Sequence, residues 1–293
     1  MRGVMTIMDE RPQLLGLAYR LLGSLADAED VVQEAFARWY GLSPAQRESI
    51  ESPGAWLSTV TSRICLDLLG SARARRERYV GEWIPEPVPP GADLFAGDPA
   101  DRVTLDESVS MAFLVVLESM TPAERVAFVL HDVFRYPFAD VAAIVGRTPA
   151  ACRQLASSAR RRLGAARPPA PAARRSGIVR DFKAAWEAQD IDALVELLDP
   201  DVTAVADGGG RAQAELHPVH GAAGVAAGFV AVRRKAPDLR IVERTVNGQP
   251  GLVMLDGDVT VTVLAFDVTD GRITHLWAIR NPDKLRPWTT GGR

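Results

Sequence analysis

The chain has 293 residues, 47% of them hydrophobic and 24% charged, enough for two or three buried cores and an ordinary solvated surface. No apolar run is long enough to span a bilayer, Met1–Glu10 lacks the apolar stretch of a signal peptide, and Cys65 and Cys152 have neither disulfide-framework nor metal-ligand spacing; the expectation is a cytoplasmic protein without a metal or cofactor. The net charge of −3 excludes a uniformly basic nucleic-acid binder, yet arginines cluster at Arg73, Arg75, Arg76, Arg78 and at Arg160–Arg162, while acids cluster at Asp27, Glu29, Asp30 and Glu34.

Residues from about Pro12 to Tyr79 read as helical, with breaks at Gly23–Ser24, Ser43–Pro44 and Ser52–Gly54. In Asp27–Phe36, one stripe holds Val31, Ala35 and Trp39, flanked by Val32 and Phe36. Asp27, Asp30 and Glu34 fall on an acidic face, which suits either a basic partner or plain solvation. Trp56 opens the next helix, which carries Arg63 and ends in Arg73, Arg75 and Arg76. Aromatic and cationic side chains together serve single-stranded nucleic acid, where bases stack and cations hold the backbone. A lone tryptophan is also a common core residue.

Gly81–Pro99 is rich in Pro, Gly and Asp and reads as an extended linker. Helical periodicity returns from Asp101 to Leu163. Thr121-Pro122-Ala123-Glu124 is a capping box opening a helix through about Val133. A short helix, Phe138–Val145, is expected to bury Val141, Ile144 and Val145 before Gly146 ends it. Thr148 and Pro149 start a third helix, with Cys152, Leu155 and Ala159 facing inward and Ala150, Arg153, Gln154, Ser157 and Arg161 facing out. Short helix, Gly turn and a helix with an exposed Arg/Gln/Ser face match a helix-turn-helix. An ordinary helical hairpin fits the same pattern.

Gly164–Arg175 contains Pro168, Pro169 and Pro171 and reads as a second, semi-rigid linker. Helices are expected near Ile178–Gln189, Ile191–Leu198 and Gly221–Arg234. Strands are expected near Val202–Ala206, Leu239–Val246, Leu252–Leu255, Val259–Phe266 and Ile273–Ile279, with turns at Asp256-Gly257 and Asp270-Gly271. Helices followed by a strand meander imply an α+β domain.

These residues carry a family resemblance. Tyr19-Arg20-Leu21-Leu22-Gly23-Ser24 followed by Asp27–Phe36, then Ala55-Trp56-Leu57 and Ala123-Glu124-Arg125-Val126-Ala127-Phe128, resembles the extracytoplasmic-function (ECF) sigma factors over roughly the first 165 residues. Three further segments resemble the marks of one ECF subgroup with a SnoaL-like C-terminal extension: Trp83-Ile84-Pro85-Glu86-Pro87, Asp207-Gly208-Gly209-Gly210 and Asn281-Pro282-Asp283-Lys284-Leu285. The resemblance implies two all-α sigma domains, a region-two bundle (8–80) and a region-four helix-turn-helix (104–165). A linker (81–103) joins them, and a second linker (166–176) leads to an α+β cone-like domain (177–293).

The resemblance further implies an alternative sigma factor that directs core RNA polymerase to promoter DNA. Asp27, Glu29, Asp30, Gln33, Glu34 and Phe36 would dock on the coiled coil of the largest polymerase subunit, and region four on the flap. Trp56, Arg63, Asp67, Arg73, Arg75 and Arg76 would read the −10 element. Thr148, Pro149, Ala150, Arg153, Gln154, Ser157, Ser158 and Arg161 would serve the −35 element. The three subgroup segments would carry regulatory contacts, with Trp83 as an exposed anchor. Two positions depart from the family pattern: Gly70 and Ser158 stand where basic residues are frequent, which removes a phosphate contact at each.

SnoaL-like relatives include cyclases and isomerases, so Asp207, His217, His220 and His275 are candidates for proton transfer or for lining a small-ligand site. Alternation places His275 on one strand face with Ile273, Trp277 and Ile279. Pro218 spoils the helical spacing a His217/His220 metal pair would use. A ligand-responsive helix-turn-helix repressor is the competing class; it has no use for the acidic helix or the Trp56 segment.

Overall fold

A computed structural model describes residues 7–76, 79–92, 108–163 and 172–289, the side chains of 72–76 excepted. The linker readings at 93–103 and 164–171 lie outside the described residues. The chain divides into two compact units, one built of residues 1–77, 92–108 and 116–165, the other of 78–91, 109–115 and 166–293.

In the first unit, helix α1 (Arg11–Leu22) ends at Gly23, whose left-handed φ of 69° lets its N–H reach Tyr19 O at 2.7 Å. Helix α2 (Leu25–Tyr40) starts on Ser24, whose hydroxyl accepts the Asp27 N–H. Helix α3 (Pro44–Glu48) opens with a Ser43/Gln46 capping box, and α4 spans Pro53–Arg76. The three expected breaks thus separate four helices.

Helix α5 (Met111–Glu118) leads to α6 (Pro122–Phe128), which opens with the expected Thr121/Glu124 capping box. A π-helical turn, Val129–Val133, extends α6 where an unbroken α-helix was expected. Helix α7 (Phe138–Val145) stops at Gly146 with φ 70°, and α8 (Pro149–Leu163) follows. Two details of the expected packing change. On α8 the buried stripe is Cys152, Ala156 and Ala159, an i, i+4, i+7 set, while Leu155 is half-buried. On α7 Ala142 is buried with Val141 and Ile144, whereas Val145, at the last turn, is only half-buried.

Regions two and four pack together within this unit. The buried Arg125 guanidinium donates to Leu117 O and Leu21 O, both at 2.9 Å, and pairs with Glu118 at 2.8 Å. Arg20, 1% exposed, donates to the Ser108 hydroxyl and lies over the Phe134 ring. Each buried cation therefore has the hydrogen-bond partners that burial demands.

The second unit is an α+β fold. Its six-stranded mixed sheet runs β2 (Val219–His220), β1 (Leu198–Asp207), β6 (Arg272–Ile279), β5 (Val259–Thr269), β4 (Gln249–Asp256), β3 (Arg240–Val246). Only the β1–β6 pair is parallel. Helices α9 (Ala172–Ala188), α10 (Ile191–Leu197) and α11 (Ala222–Lys235) cover one face. There Phe182, Trp186 and Phe229 pack edge-to-face above Leu252, Met254, Leu264 and Phe266.

The opposite sheet face shows Val253, Val263, Ala265, Trp277 and Ile279. It is covered by Ile84, Met111, Leu285 and Trp288, the last in α12 (Arg286–Thr289). The stretch read as an open linker is therefore packed here: Ile84, Pro85, Pro87 and Val88 are buried. β6 also corrects the expected alternation. Opposite Asp267 and Val268 of β5, which pair with His275 and Ile273, β6 carries one extra residue, Thr274; this bulge shifts the register, so Ile273 faces the helices while His275, Trp277 and Ile279 face the other way.

Candidate nucleic-acid interface

Helix α2 buries Ala28, Val31, Val32, Ala35, Phe36 and Trp39, which turns Glu29, Asp30, Gln33 and Glu34 outward. Asp27 is half-buried in the first turn, and Glu34 pairs with Arg38 one turn on. Phe36 departs from its expected role on the docking surface. It is 8% exposed and stacks on Tyr40, because it shares the apolar face with Val32.

On α4, Trp56 is half-buried and meets Trp39 edge-on at 5.4 Å. Arg63 and Asp67 are exposed, and Arg63 donates to Ala143 O of α7 at 3.1 Å. Arg73, Arg75 and Arg76 lie in the last turns of α4 with side chains outside the described residues. Gly70 is exposed, and a Cβ there would meet nothing within 4 Å.

On α8, Arg153, Gln154, Ser157 and Arg161 line one open groove with Arg160, and Thr148, Pro149 and Ala150 stand exposed at the helix start. The Thr148 hydroxyl caps the Ala151 N–H. The arginine run is not uniform. Arg160 grips Asp132 through two bonds and Arg162 reaches Ser119 O, whereas Arg161 makes no ion pair or hydrogen bond among the described residues. Ser158 turns inward, donating to Glu124 at 2.8 Å. Burial alone would raise the Glu124 carboxyl; the Thr121 N–H and hydroxyl, Ser158 and Arg162 outweigh it and hold the group below its ordinary range.

The three subgroup segments converge in the second unit. Asp207, fully buried at the end of β1, accepts from the Tyr79 hydroxyl at 2.6 Å, the Ile84 N–H at 3.0 Å and the Lys284 ammonium at 2.6 Å. Lys284 also reaches Ile84 O, and its ammonium lies 4.2 Å from the Trp83 ring centre and 5.1 Å from that of Tyr79. Trp83 is thus half-buried against a cation, where an exposed anchor was expected. Burial first, then the hydrogen bond and charge of Asp207, push the Tyr79 phenol well above its usual range.

Asn281 donates to the Tyr79 oxygen at 2.7 Å and caps the turn through Asp283 N. Asp283 pairs with Arg211 and Arg286, and Leu285 is buried on the sheet. The glycines have steric reasons. A Cβ on Gly208 would stand 2.2 Å from Ala212 O, and one on Gly209 (φ 59°) 2.3 Å from Asn281 Nδ2. Gly210 (φ 68°) lies beside Val80. Pro85 and Pro87 are buried on either side of Glu86, and Trp288 Nε1 donates to Pro87 O.

The proton-transfer candidates do not assemble. Asp207 is committed to Tyr79, Ile84 and Lys284, and His217 and His220 are exposed, the latter bonded to Thr203. His275, exposed on the non-helical sheet face, stacks on Trp277 with Asp267 at 3.8 Å. Sequence reasoning missed Tyr79, Trp288 and Asn247 as contact residues. Of these only Asn247 carried a signal, the Asn-Gly pair of a tight hairpin.

Three family profiles match in this order: sigma-70 region 2 over residues 6–75, sigma-70 region 4 over 110–163, and a SnoaL-like domain over 179–283. The ECF RNA polymerase sigma factor SigJ of Mycobacterium tuberculosis is 43% identical over 290 residues, which span 94% of this chain and 90% of SigJ. The chain belongs to the ECF RNA polymerase sigma factors. The probable ECF sigma factor SigI of the same organism is 37% identical, covering 94% and 92% of the two chains. The crystal structure of M. tuberculosis SigJ matches with a TM-score of 0.75 and 39% identity, over 95% of this chain and 96% of that one. This ECF sigma factor is an alternative initiation factor whose partners are core RNA polymerase and promoter DNA, and it carries a SnoaL-like extension. No described helix is long and apolar enough to cross a membrane.

Proposed function

We propose that this sigma factor reads the −35 element through the open face of α8 and the −10 element through α4, and that its SnoaL-like extension modulates both by holding the linker. Arg153, Gln154 and Ser157 supply base-edge donors and acceptors, with Arg161 on phosphate. Trp56, Arg63, Asp67 and the Arg73–Arg76 turn serve single-stranded bases and backbone. Glu29, Asp30, Gln33 and Glu34 dock on the coiled coil of the largest polymerase subunit, and region four on the flap. The extension acts without catalysis.

The observation that carries the regulatory part is the Asp207 carboxylate. It is buried, it belongs to the extension, and it receives Tyr79 from the end of region two and Ile84 from the linker together with Lys284. An acid so engaged is a structural anchor and not a free general base. In the same chain Arg63 of the −10 helix is bonded to α7 of region four, so regions two and four are held together, not apart on two promoter elements. Release of the linker therefore favours the DNA-bound form.

The test is run-off transcription with bacterial core polymerase, comparing the full chain with Tyr79→Phe. That variant keeps the ring and removes the hydroxyl that donates to Asp207. A charge-assisted hydrogen bond of about 1.5–3 kcal/mol predicts roughly a tenfold or greater rise in promoter-specific product at limiting polymerase. Equal product from both chains across the polymerase titration would remove the regulatory role. Loss of product on Arg153→Ala at one promoter, and no loss on a non-cognate template, checks the α8 assignment.

A further inference from the structure

The hairpin joining β3 and β4 turns through Asn247 and Gly248, with Val246 paired to Gln249 across it. Both central residues have positive φ, 51° and 71°, as a tight two-residue hairpin with right-handed strand twist requires. Hairpin tips ordinarily face water. This one does not: Asn247 is 0% exposed.

Its polar groups are used on two segments far away in sequence. The Asn247 N–H donates to Val88 O at 3.0 Å, and Asn247 Oδ1 accepts the Val88 N–H at 3.0 Å. Val88 is thus met on both its polar sides, as a residue in a β ladder would be. The remaining half of the amide, Nδ2, donates to Val109 O at 2.9 Å. Val88 ends the packed part of the linker after region two, and Val109 stands two residues before α5, the first helix of region four. One side chain of the extension holds both.

We infer that Asn247 is a positioning residue that sets the working length of the linker between regions two and four. With both contacts made, residues 89–108 run between two points fixed on one amide and add no reach. With them broken, those roughly 20 residues span up to about 70 Å when extended, at ~3.3–3.6 Å each. The −10 and −35 elements lie about 25 base pairs apart, roughly 85 Å at 3.4 Å per pair. Holding Val88 and Val109 on one amide takes those residues out of the span the chain must cover. The extension would then count linker residues in or out of the bridge between the two DNA-reading regions. This inference rests on the regulatory reading of the extension, and it adds a site that none of the three subgroup segments contains.

The experiment uses the full chain. Asn247→Gly removes the amide and keeps the positive-φ turn and the backbone bond to Val88. Asn247→Asp keeps an acceptor for the Val88 N–H and loses the donor to Val109. Amide hydrogen exchange is followed in the segments 84–92 and 108–115, and run-off product is measured over a core-polymerase titration. Asn247→Gly is expected to speed exchange at least fivefold in both segments and to raise promoter-specific product severalfold at limiting polymerase. Asn247→Asp is expected to deprotect 108–115 alone. Deprotection of only one segment by Asn247→Gly would overturn the two-ended clamp, and deprotection of both with unchanged product would overturn its role in setting length. Tyr79→Phe, which does not touch Val109, separates the two ideas. Changed product there with unchanged product in Asn247→Gly defeats the clamp alone; unchanged product in both defeats the regulatory reading beneath it.

Discussion

A glycine in the middle of α4 costs helix stability for a reason local to the residue: it adds backbone freedom to the unfolded chain and brings no side chain. Gly70 is exposed and its missing Cβ would meet nothing, so no contact compensates. Gly70→Ala is expected to stabilise the first unit by about 0.5–1 kcal/mol, read as a higher midpoint in urea. Asp207 is the opposite case. Asp207→Asn removes the counter-charge of the buried Lys284 ammonium and should cost about 3–5 kcal/mol, with part of that loss recovered in Asp207→Asn/Lys284→Met. A double-mutant cycle by denaturant titration measures it. Glu124 titrates lower in the folded chain than in the unfolded one. Its contribution is therefore fully present above the unfolded carboxyl value of about 4.3 and is lost as pH falls through the lower folded value. Glu124→Gln should flatten the acid limb of the stability curve, followed by circular dichroism between pH 6 and pH 2.

At the scale of the element, α8 divides its arginines by where each falls around the helix. Arg160 and Arg162 secure α8 to Asp132 and Ser119 within region four, while Arg153 and Arg161 stay on the open groove. Arg153→Ala should therefore weaken −35 binding by about 1–3 kcal/mol and relax specificity at one base pair, while the loss of its guanidinium from over the Phe138 ring lowers stability by at most about 1 kcal/mol. Arg161→Ala should weaken all sequences alike and lower the slope of log affinity against log salt by about 1. Fluorescence anisotropy on a −35 duplex at three salt concentrations distinguishes them. These elements were legible because their signals are local: Thr121/Glu124 caps α6, Gly146 ends α7, Pro149 starts α8. The inward stripe was misread by one position because Leu155 and Ala156 flank the Cys152/Ala159 line on its two sides, i+3 and i+4 from Cys152, and size alone favoured the leucine. The β6 alternation failed at Ile273 because a bulge depends on the partner strand, which the sequence of β6 does not contain. Burial of the Pro-rich linker was illegible for a similar reason. Pro and Gly report that no helix forms, and only the sheet face opposite decides whether an extended chain is covered.

For the whole molecule, the sheet of the extension has two apolar faces, and α9, α10 and α11 cover only one of them. The other is closed by Ile84 and Met111, which come from sequence before the extension, together with Leu285 from the tail. Cutting the chain after Arg175 therefore opens apolar surface on both products. Val253, Val263, Trp277 and Ile279 lose Ile84 and Met111; Ile84 and Met111 lose the sheet. Contiguous apolar patches of a few hundred Å² promote association in soluble proteins. Residues 1–175 alone, and residues 176–293 alone, should each bind a hydrophobic dye and elute as larger species in size-exclusion chromatography. Mixing the two should reverse both effects, because the covering surfaces are complementary. Tyr79→Phe in the intact chain should do neither, since it removes the two hydrogen bonds of one hydroxyl without uncovering the face. A transcription change on truncation would therefore mix lost regulation with lost solubility. Dye binding that stays at the level of the intact chain in both fragments would show that the linker's apolar residues are not what keeps the extension closed.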